Sequence, residues 1–227
     1  MKALGLGEKR RRALAVIERL KERYPHAECA LKYEGDPWKL LVMGRLSAQC
    51  TDERVNDVCK ELFAKYRNCN EMAEAEVGDI EEIIRSCGLY KMKAKNLKDA
   101  SRMLAEEYGG ILPSDMESLL RFPGVGRKIA NLLIGDIFAL PAVVCDTHCI
   151  RIAGRLGMYP ENLKDPVRIE KILRSILPPE EGSDFCHRIV WFGREVCTAR
   201  APKCGECPLA ALCLHRERAV EREKKAE

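Results

Sequence analysis

The 227-residue sequence has no run near the ~18 apolar residues that a membrane-spanning helix needs, which excludes an integral helical membrane protein. Its first residues, MKALGLGEKRRRALAVIERLKERY, carry a basic cluster but no continuous apolar signal core, so the expected setting is soluble and intracellular. Alternation of apolar and polar residues never lasts the length of a strand, which removes the sheet-based fold classes and leaves an all-α protein. No period repeats, and the only low-complexity stretch is the charged end EREKKAE, expected to be a solvated tail. The net charge of +4 is small for so charged a chain, so its distribution decides more about a polyanionic partner than its sum.

Helical periodicity fills the space that strands do not. Val55, Val58, Cys59, Leu62, Phe63 and Tyr66 share one helix face, as do Leu97, Ala100, Met103, Leu104 and Tyr108, and Leu14, Ile17, Leu20 and Tyr24 form another near the N-terminus. About ten short helices fit the length. Their ends are marked by Gly88, by Gly109-Gly110 and by the capping-box pattern Ser114-Asp115-Met116-Glu117. The short apolar burst VVC at 143–145, between Pro141 and a charged turn, is read as connection rather than strand.

Twelve cysteines without an export signal point to reduced thiols, some of them metal ligands, rather than to disulfides. Cys197, Cys204, Cys207 and Cys213 are spaced C-x6-C-x2-C-x5-C in a stretch with Pro202, Gly205 and Pro208. Such a loop can wrap so that four sulfurs converge on one centre, either Zn(Cys)4 or a [4Fe-4S] cluster. Zinc sites more often use two Cys-x2-Cys knuckles, and this segment has one. The other eight, Cys29, Cys50, Cys59, Cys69, Cys87, Cys145, Cys149 and Cys186, are spaced like small core residues.

The stretch FPGVGRKIAN at 122–131 puts a Gly-Val-Gly turn between two helices. The backbone amides of Gly124, Val125, Gly126 and Arg127 would then stand at a helix N-terminus, where phosphate oxygens bind without reference to base sequence. Gly-x-Gly is also an ordinary tight turn. Lys128 follows on a helix whose apolar face is Ile129, Leu132, Leu133 and Ile137, and Asp146 stands eighteen positions further on, before Thr147-His148. Taken one at a time, Lys128 reads as a solvated lysine, Asp146 as a helix cap, and His148 and His187 as packed histidines.

Taken together they read differently. FPGVGRKIAN followed by VVCDTH, with LSAQCTDERVN upstream, GLYKMKAKNL between and the four-cysteine ending, resembles endonuclease III of the helix-hairpin-helix DNA glycosylase superfamily, over residues 10 to 215 in unbroken order. The resemblance implies two helical domains flanking a DNA-binding cleft. One would be a six-helix barrel at 30–140, the other residues 1–29 with 141–215 carrying a [4Fe-4S] cluster, and 216–227 would be a charged tail. It also implies Lys128 as nucleophile, Asp146 as its carboxylate partner, and Gln49 and Leu89 as the side chains that fill the gap left by an extruded base. The cluster loop has alanine where the family often has a basic residue, leaving Arg200 and Lys203 as its cations toward phosphate.

The implied partner is double-stranded DNA with damaged bases, such as thymine glycol, or abasic sites, met by a monomer. A partly desolvated Lys128 amine would attack the sugar C1′ and form a Schiff base, and β-elimination would cut the strand. Two other readings compete. A mismatch adenine glycosylase of the same superfamily carries an acidic residue where this chain has Val42-Met43-Gly44-Arg45, usually lacks a lysine at 128 and commonly has a further C-terminal domain. A non-catalytic iron-sulfur DNA-binding module needs neither Lys128 nor Asp146.

Overall fold

The computed structural model describes residues 4–223, and these hold twelve α-helices, three short 3₁₀ turns and no strand. None of the helices is long and apolar enough to cross a membrane. Residues 1–3 and residues 224–227, where the expected tail ends, lie outside the described residues. The chain divides into two units: residues up to Glu28 together with those from Pro141 on, and Cys29–Leu140.

Helix α1 (Leu6–Arg23) opens the first unit. Its buried face is Ala13, Val16, Ile17 and Leu20, whereas Leu14, expected on that face, is 48% exposed. A step of about 100° per residue puts 13, 16, 17 and 20 on one stripe and carries 14 off its edge.

The Cys29–Leu140 unit contains α2 (Pro37–Leu46), α3 (Asp52–Lys65), α4 (Cys69–Glu74), α5 (Val77–Ile83), α6 (Tyr90–Tyr108), α7 (Met116–Arg121) and α8 (Arg127–Asp136). That is one helix more than the six expected, and three of the seven have only six or seven residues. The starts follow side-chain chemistry. Asp36 accepts from the amides of Trp38 (2.9 Å) and Lys39 (3.1 Å), Pro37 supplies a pre-set first position, and Thr51 accepts from Arg54 N (3.3 Å). The start of α7 lies one residue later than the capping-box pattern suggested: Asp115, not Ser114, caps it, accepting from Ser118 N at 2.8 Å. An aspartate with an amide three residues on is as good a cap as a serine, and this one sits closer to the apolar run.

The core of this unit is the buried stripe of each helix, with Leu40, Leu62, Met72, Ile80, Leu104, Leu119 and Leu133 fully enclosed. The expected face of α3 is buried at Val55, Cys59 and Leu62, and that of α6 at Leu97, Ala100 and Leu104. Gly44 lets α2 and α8 approach closely, since a Cβ there would lie 3.2 Å from Cγ2 of Ile129. The polar end of buried Trp38 donates to Ser101 Oγ at 3.0 Å.

The first unit continues with α9 (Thr147–Arg155), α10 (Pro166–Ile176), α11 (Gly182–Glu195) and α12 (Leu214–Glu223). Thus the charged tail expected from residue 216 is helical as far as Glu223. Helix α1 is held to the later chain by polar ties. Arg12 donates to the carbonyls of Leu156 (3.2 Å) and Leu212 (2.7 Å), Tyr24 donates to Glu195 (2.6 Å), Arg23 pairs with Glu195, and Lys21 with Glu181. Beneath them Val16, Leu20, Ile152, Ile169, Leu173 and Ile189 are fully buried.

Candidate active site and cysteine loop

Helix α7 ends at Arg121, and the chain turns through Phe122-Pro123-Gly124-Val125-Gly126 into α8. Phe122 and Val125 are buried and anchor the turn, which leaves Gly124 and Gly126 exposed. Gly124 has φ +79°, and a Cβ there would come within 2.2 Å of Arg45 Nε and 2.6 Å of the Asn96 side-chain amide. Only glycine fits on both counts. Arg45 is therefore the buttress of the turn, 8% exposed, with Asn96 Oδ1 accepting from its Nε (3.1 Å) and Nη2 (2.9 Å) once the Asn96 amide is oriented to suit. Gly126 is the N-cap of α8 and offers no side chain to the amides that follow, and a Cβ there would meet nothing within 4 Å. The amide of Val125, expected among the phosphate donors, is instead spent inside the turn, donating to Phe122 O at 3.0 Å, while the first amides of α8 have no side-chain cap.

Arg127 is half-buried at the first position of α8, and Lys128, at the second, is exposed. The partial desolvation expected of Lys128 is thus not a property of the free protein. The residues behind it, Ala130, Asn131, Leu133 and Ile134, are the buried face of the helix, and Asn131 Nδ2 donates to Arg127 O at 3.1 Å.

The two residues expected to fill the gap, Gln49 and Leu89, lie on the same unit as the turn. Both are exposed, and both have left-handed backbones, with φ 55° and 49°. They are two of only four non-glycine residues with positive φ among those described. Non-glycine residues adopt this conformation at a cost, and it persists only where the surroundings hold it.

Asp146 belongs to the other unit, where it is half-buried and caps α9, accepting from Cys149 N at 2.7 Å through Oδ1. The helix-cap reading of Asp146 therefore describes its local geometry, and Oδ2 remains for other work. His148 and Arg151 follow on α9, with Arg151 Nη2 3.2 Å from His148 Nδ1.

The loop after α11 carries the four cysteines, and Cys197, Cys204, Cys207 and Cys213 line one cavity with Ile152 and Leu209 among its apolar walls. Two α9 arginines one turn apart, absent from the expected site, tie this loop down. Arg151 donates to Cys197 O (3.0 Å), and Arg155 donates to Cys197 Sγ (3.3 Å) and to the carbonyls of Thr198 (2.9 Å) and Ala199 (3.0 Å). Their i, i+4 spacing is the one signal that could have flagged them. Burial pushes the Cys207 and Cys213 thiols up, while backbone amides of Leu209, and of Arg216 and His215, work the other way. Four sulfurs around one cavity, with a guanidinium and amides directed at them, fit an iron-sulfur cluster, whose positive irons return buried thiols to the thiolate form. Arg200 and Lys203 are exposed on the same loop.

Residues 42–179 match the HhH-GPD superfamily base excision DNA repair proteins, and residues 197–213 match the iron-sulfur binding domain of endonuclease III. The chain is 44% identical to endonuclease III of Synechocystis sp. over 92% of its length and 94% of that protein's. It is 42% identical to that of Bacillus subtilis, over 87% and 89% of the two chains, and 35% identical to that of Escherichia coli, over 90% and 96%. Among solved structures it is similar to a non-covalent endonuclease III–DNA complex and to a trapped endonuclease III–DNA covalent intermediate, each with a TM-score of 0.87 and 38% identity over 93% of this chain and 98% of that one. A thermostable thymine-DNA glycosylase shares the fold, with a TM-score of 0.84 at 23% identity.

Proposed function

The chain belongs to the endonuclease III family of the HhH-GPD superfamily, and from that premise we propose that Lys128 is its nucleophile and Asp146 the carboxylate that assists it. It is a base excision repair enzyme, a DNA glycosylase with AP lyase activity, it binds DNA, and it carries a [4Fe-4S] cluster. The finer reading is ours: the substrate is duplex DNA with oxidised pyrimidines such as thymine glycol, or with abasic sites, met by a monomer in the cytoplasm or nucleoid.

One observation carries the assignment of the nucleophile: an exposed lysine at the second position of a helix whose first amides have no side-chain cap. A phosphate held by the amides of Gly124, Gly126 and Arg127, on a turn that Val125 N closes by donating to Phe122 O, brings the neighbouring sugar to Lys128 without use of base sequence. A base must leave the stack before it is replaced, at a cost of a few kcal/mol that is lower at damaged pairs. Gln49 and Leu89 fill the space it leaves. With DNA bound and water displaced, the neutral Lys128 amine attacks C1′, and the C1′–N bond breaks as the base departs. The sugar ring opens to a Schiff base with Lys128, and loss of a proton from C2′ expels the 3′ phosphate. Asp146 stabilises the positive charge that develops on the sugar and helps to move protons.

Cys197, Cys204, Cys207 and Cys213 would hold the cluster. When bound, it supplies iron–sulfur bonds that cross-link residues 197–213, and Arg200 and Lys203 then face phosphate from a fixed loop.

Borohydride reduction of the imine tests the assignment. Wild type should be trapped on duplex containing thymine glycol or an abasic site, whereas Lys128→Ala should lose trapping and strand cutting yet still bind duplex. Undiminished trapping in Lys128→Ala would assign the chemistry to another amine.

A further inference from the structure

Lys93 is fully buried, and among the described residues no carboxylate pairs with it. Its Nζ donates to three backbone carbonyls: Leu46 O at 2.8 Å, Ala48 O at 2.7 Å and Cys87 O at 2.5 Å. An ammonium has three donors, and here each has one acceptor, so the group is saturated. Burial holds its pKa below the ordinary lysine value, with the thiols of Cys87 and Cys50 opposing that and the Arg45 guanidinium adding to it.

The choice of carbonyls matters more than the burial. Leu46 is the last residue of α2 and Ala48 immediately precedes Gln49, while Cys87 ends the 3₁₀ turn that leads through Gly88 to Leu89. One cation thus clamps two chain segments that lie forty residues apart in sequence, and each segment ends in an exposed, non-glycine residue with a left-handed backbone. The carbonyl at the end of α2 would otherwise be an orphan helix terminus, and Lys93 uses that need to fix the loop beyond it. Side chains that must enter a duplex do so at least cost when their backbones are already set.

We propose that Lys93 is the positioning residue for Gln49 and Leu89, holding both loops in the conformation that presents the two side chains to DNA. This rests on the reading that Gln49 and Leu89 fill the space vacated by the extruded base. Lys93 touches neither substrate nor the reacting atoms, so its effect runs through those two residues.

The test compares wild type, Lys93→Met, the Gln49→Ala/Leu89→Ala pair and the triple variant. Two quantities are read: the single-turnover rate of base release from thymine-glycol duplex under saturating enzyme, and the affinity for undamaged duplex. Methionine keeps the volume of the stem while removing all three donors. Lys93→Met is expected to slow base release at least tenfold and to leave the affinity for undamaged duplex within twofold. In the double-alanine background the same substitution should add less than a further twofold, because the side chains it positions are gone. An equal loss in both backgrounds, or none in either, overturns the positioning role. A double-alanine pair that works at the wild-type rate overturns the gap-filling reading, and this inference with it. A slow pair beside an unaffected Lys93→Met overturns this inference alone. Should Lys93→Met fail to fold, hydrogen exchange in wild type decides: the amides of Cys50 and Cys87 should exchange as slowly as those of the α6 core, and fast exchange at either would refute the clamp.

Discussion

Asp146 caps α9, and single substitutions separate that cap from the catalytic role proposed for the same carboxylate. Oδ1 is committed to Cys149 N as the cap of α9, a role asparagine fills as well as aspartate. Asp146→Asn should therefore melt with wild type while base release falls by orders of magnitude, since preorganised charge contributes ~3 kcal/mol or more to such a step. Asp146→Ala should lose the cap as well, at about 1 kcal/mol of stability. A thermal melt beside a single-turnover assay reads both. Wild-type base release in Asp146→Asn, with only the stability of Asp146→Ala reduced, would leave Asp146 as a cap alone. Cutting at a preformed abasic site should suffer less than base release, because the C1′–N bond is already gone there.

At the scale of the element, the turn from α7 to α8 is specified by one glycine more than the other. Gly124 has φ +79° and no room for a Cβ beside Arg45, whereas Gly126 has an ordinary backbone and open space around it. Placing an L-residue in the left-handed region costs about 1–2 kcal/mol, and Gly124→Ala also displaces the buried Arg45. Denaturant melts should show at least that loss for Gly124→Ala and a change within about 0.5 kcal/mol for Gly126→Ala. If the amides hold phosphate and not bases, as proposed, Gly124→Ala should weaken binding to damaged and undamaged duplex by the same factor. Selective loss on damaged duplex would mean that the turn reads the lesion.

At the scale of the whole molecule, the cysteine loop ties the late chain to the early chain. Arg12 of α1 donates to Leu212 O at the end of the loop, and Arg155 of α9 holds its beginning. With the cluster bound, the pure protein should be yellow-brown and contain about four irons per chain. Cys204→Ser should lower both the iron content and the melting temperature, with activity falling in step with the folded fraction. Stoichiometric zinc in place of iron would refute the cluster while leaving the argument for Lys128 intact.

Composition and spacing determined the fold class, because helical periodicity is a local property that survives without neighbours: the stripes of α3 and α6 are buried where the sequence put them. They also determined where to look for ligands, because four thiols within seventeen residues can converge with little chain to fold. Cap positions were legible only to within a residue, as at Asp115, since several short polar side chains compete for the same amide. What sequence could not give was any pairing across long separations. Nothing in the local sequence around Lys93, Arg45 or Arg155 names the groups that they reach. Tertiary structure alone brought each to its acceptors, because a buried cation is stable only where the fold delivers carbonyls, an amide oxygen or a sulfur to it. The left-handed backbones of Gln49 and Leu89 have the same origin: no local preference of glutamine or leucine selects them, and the packing around the two loops does.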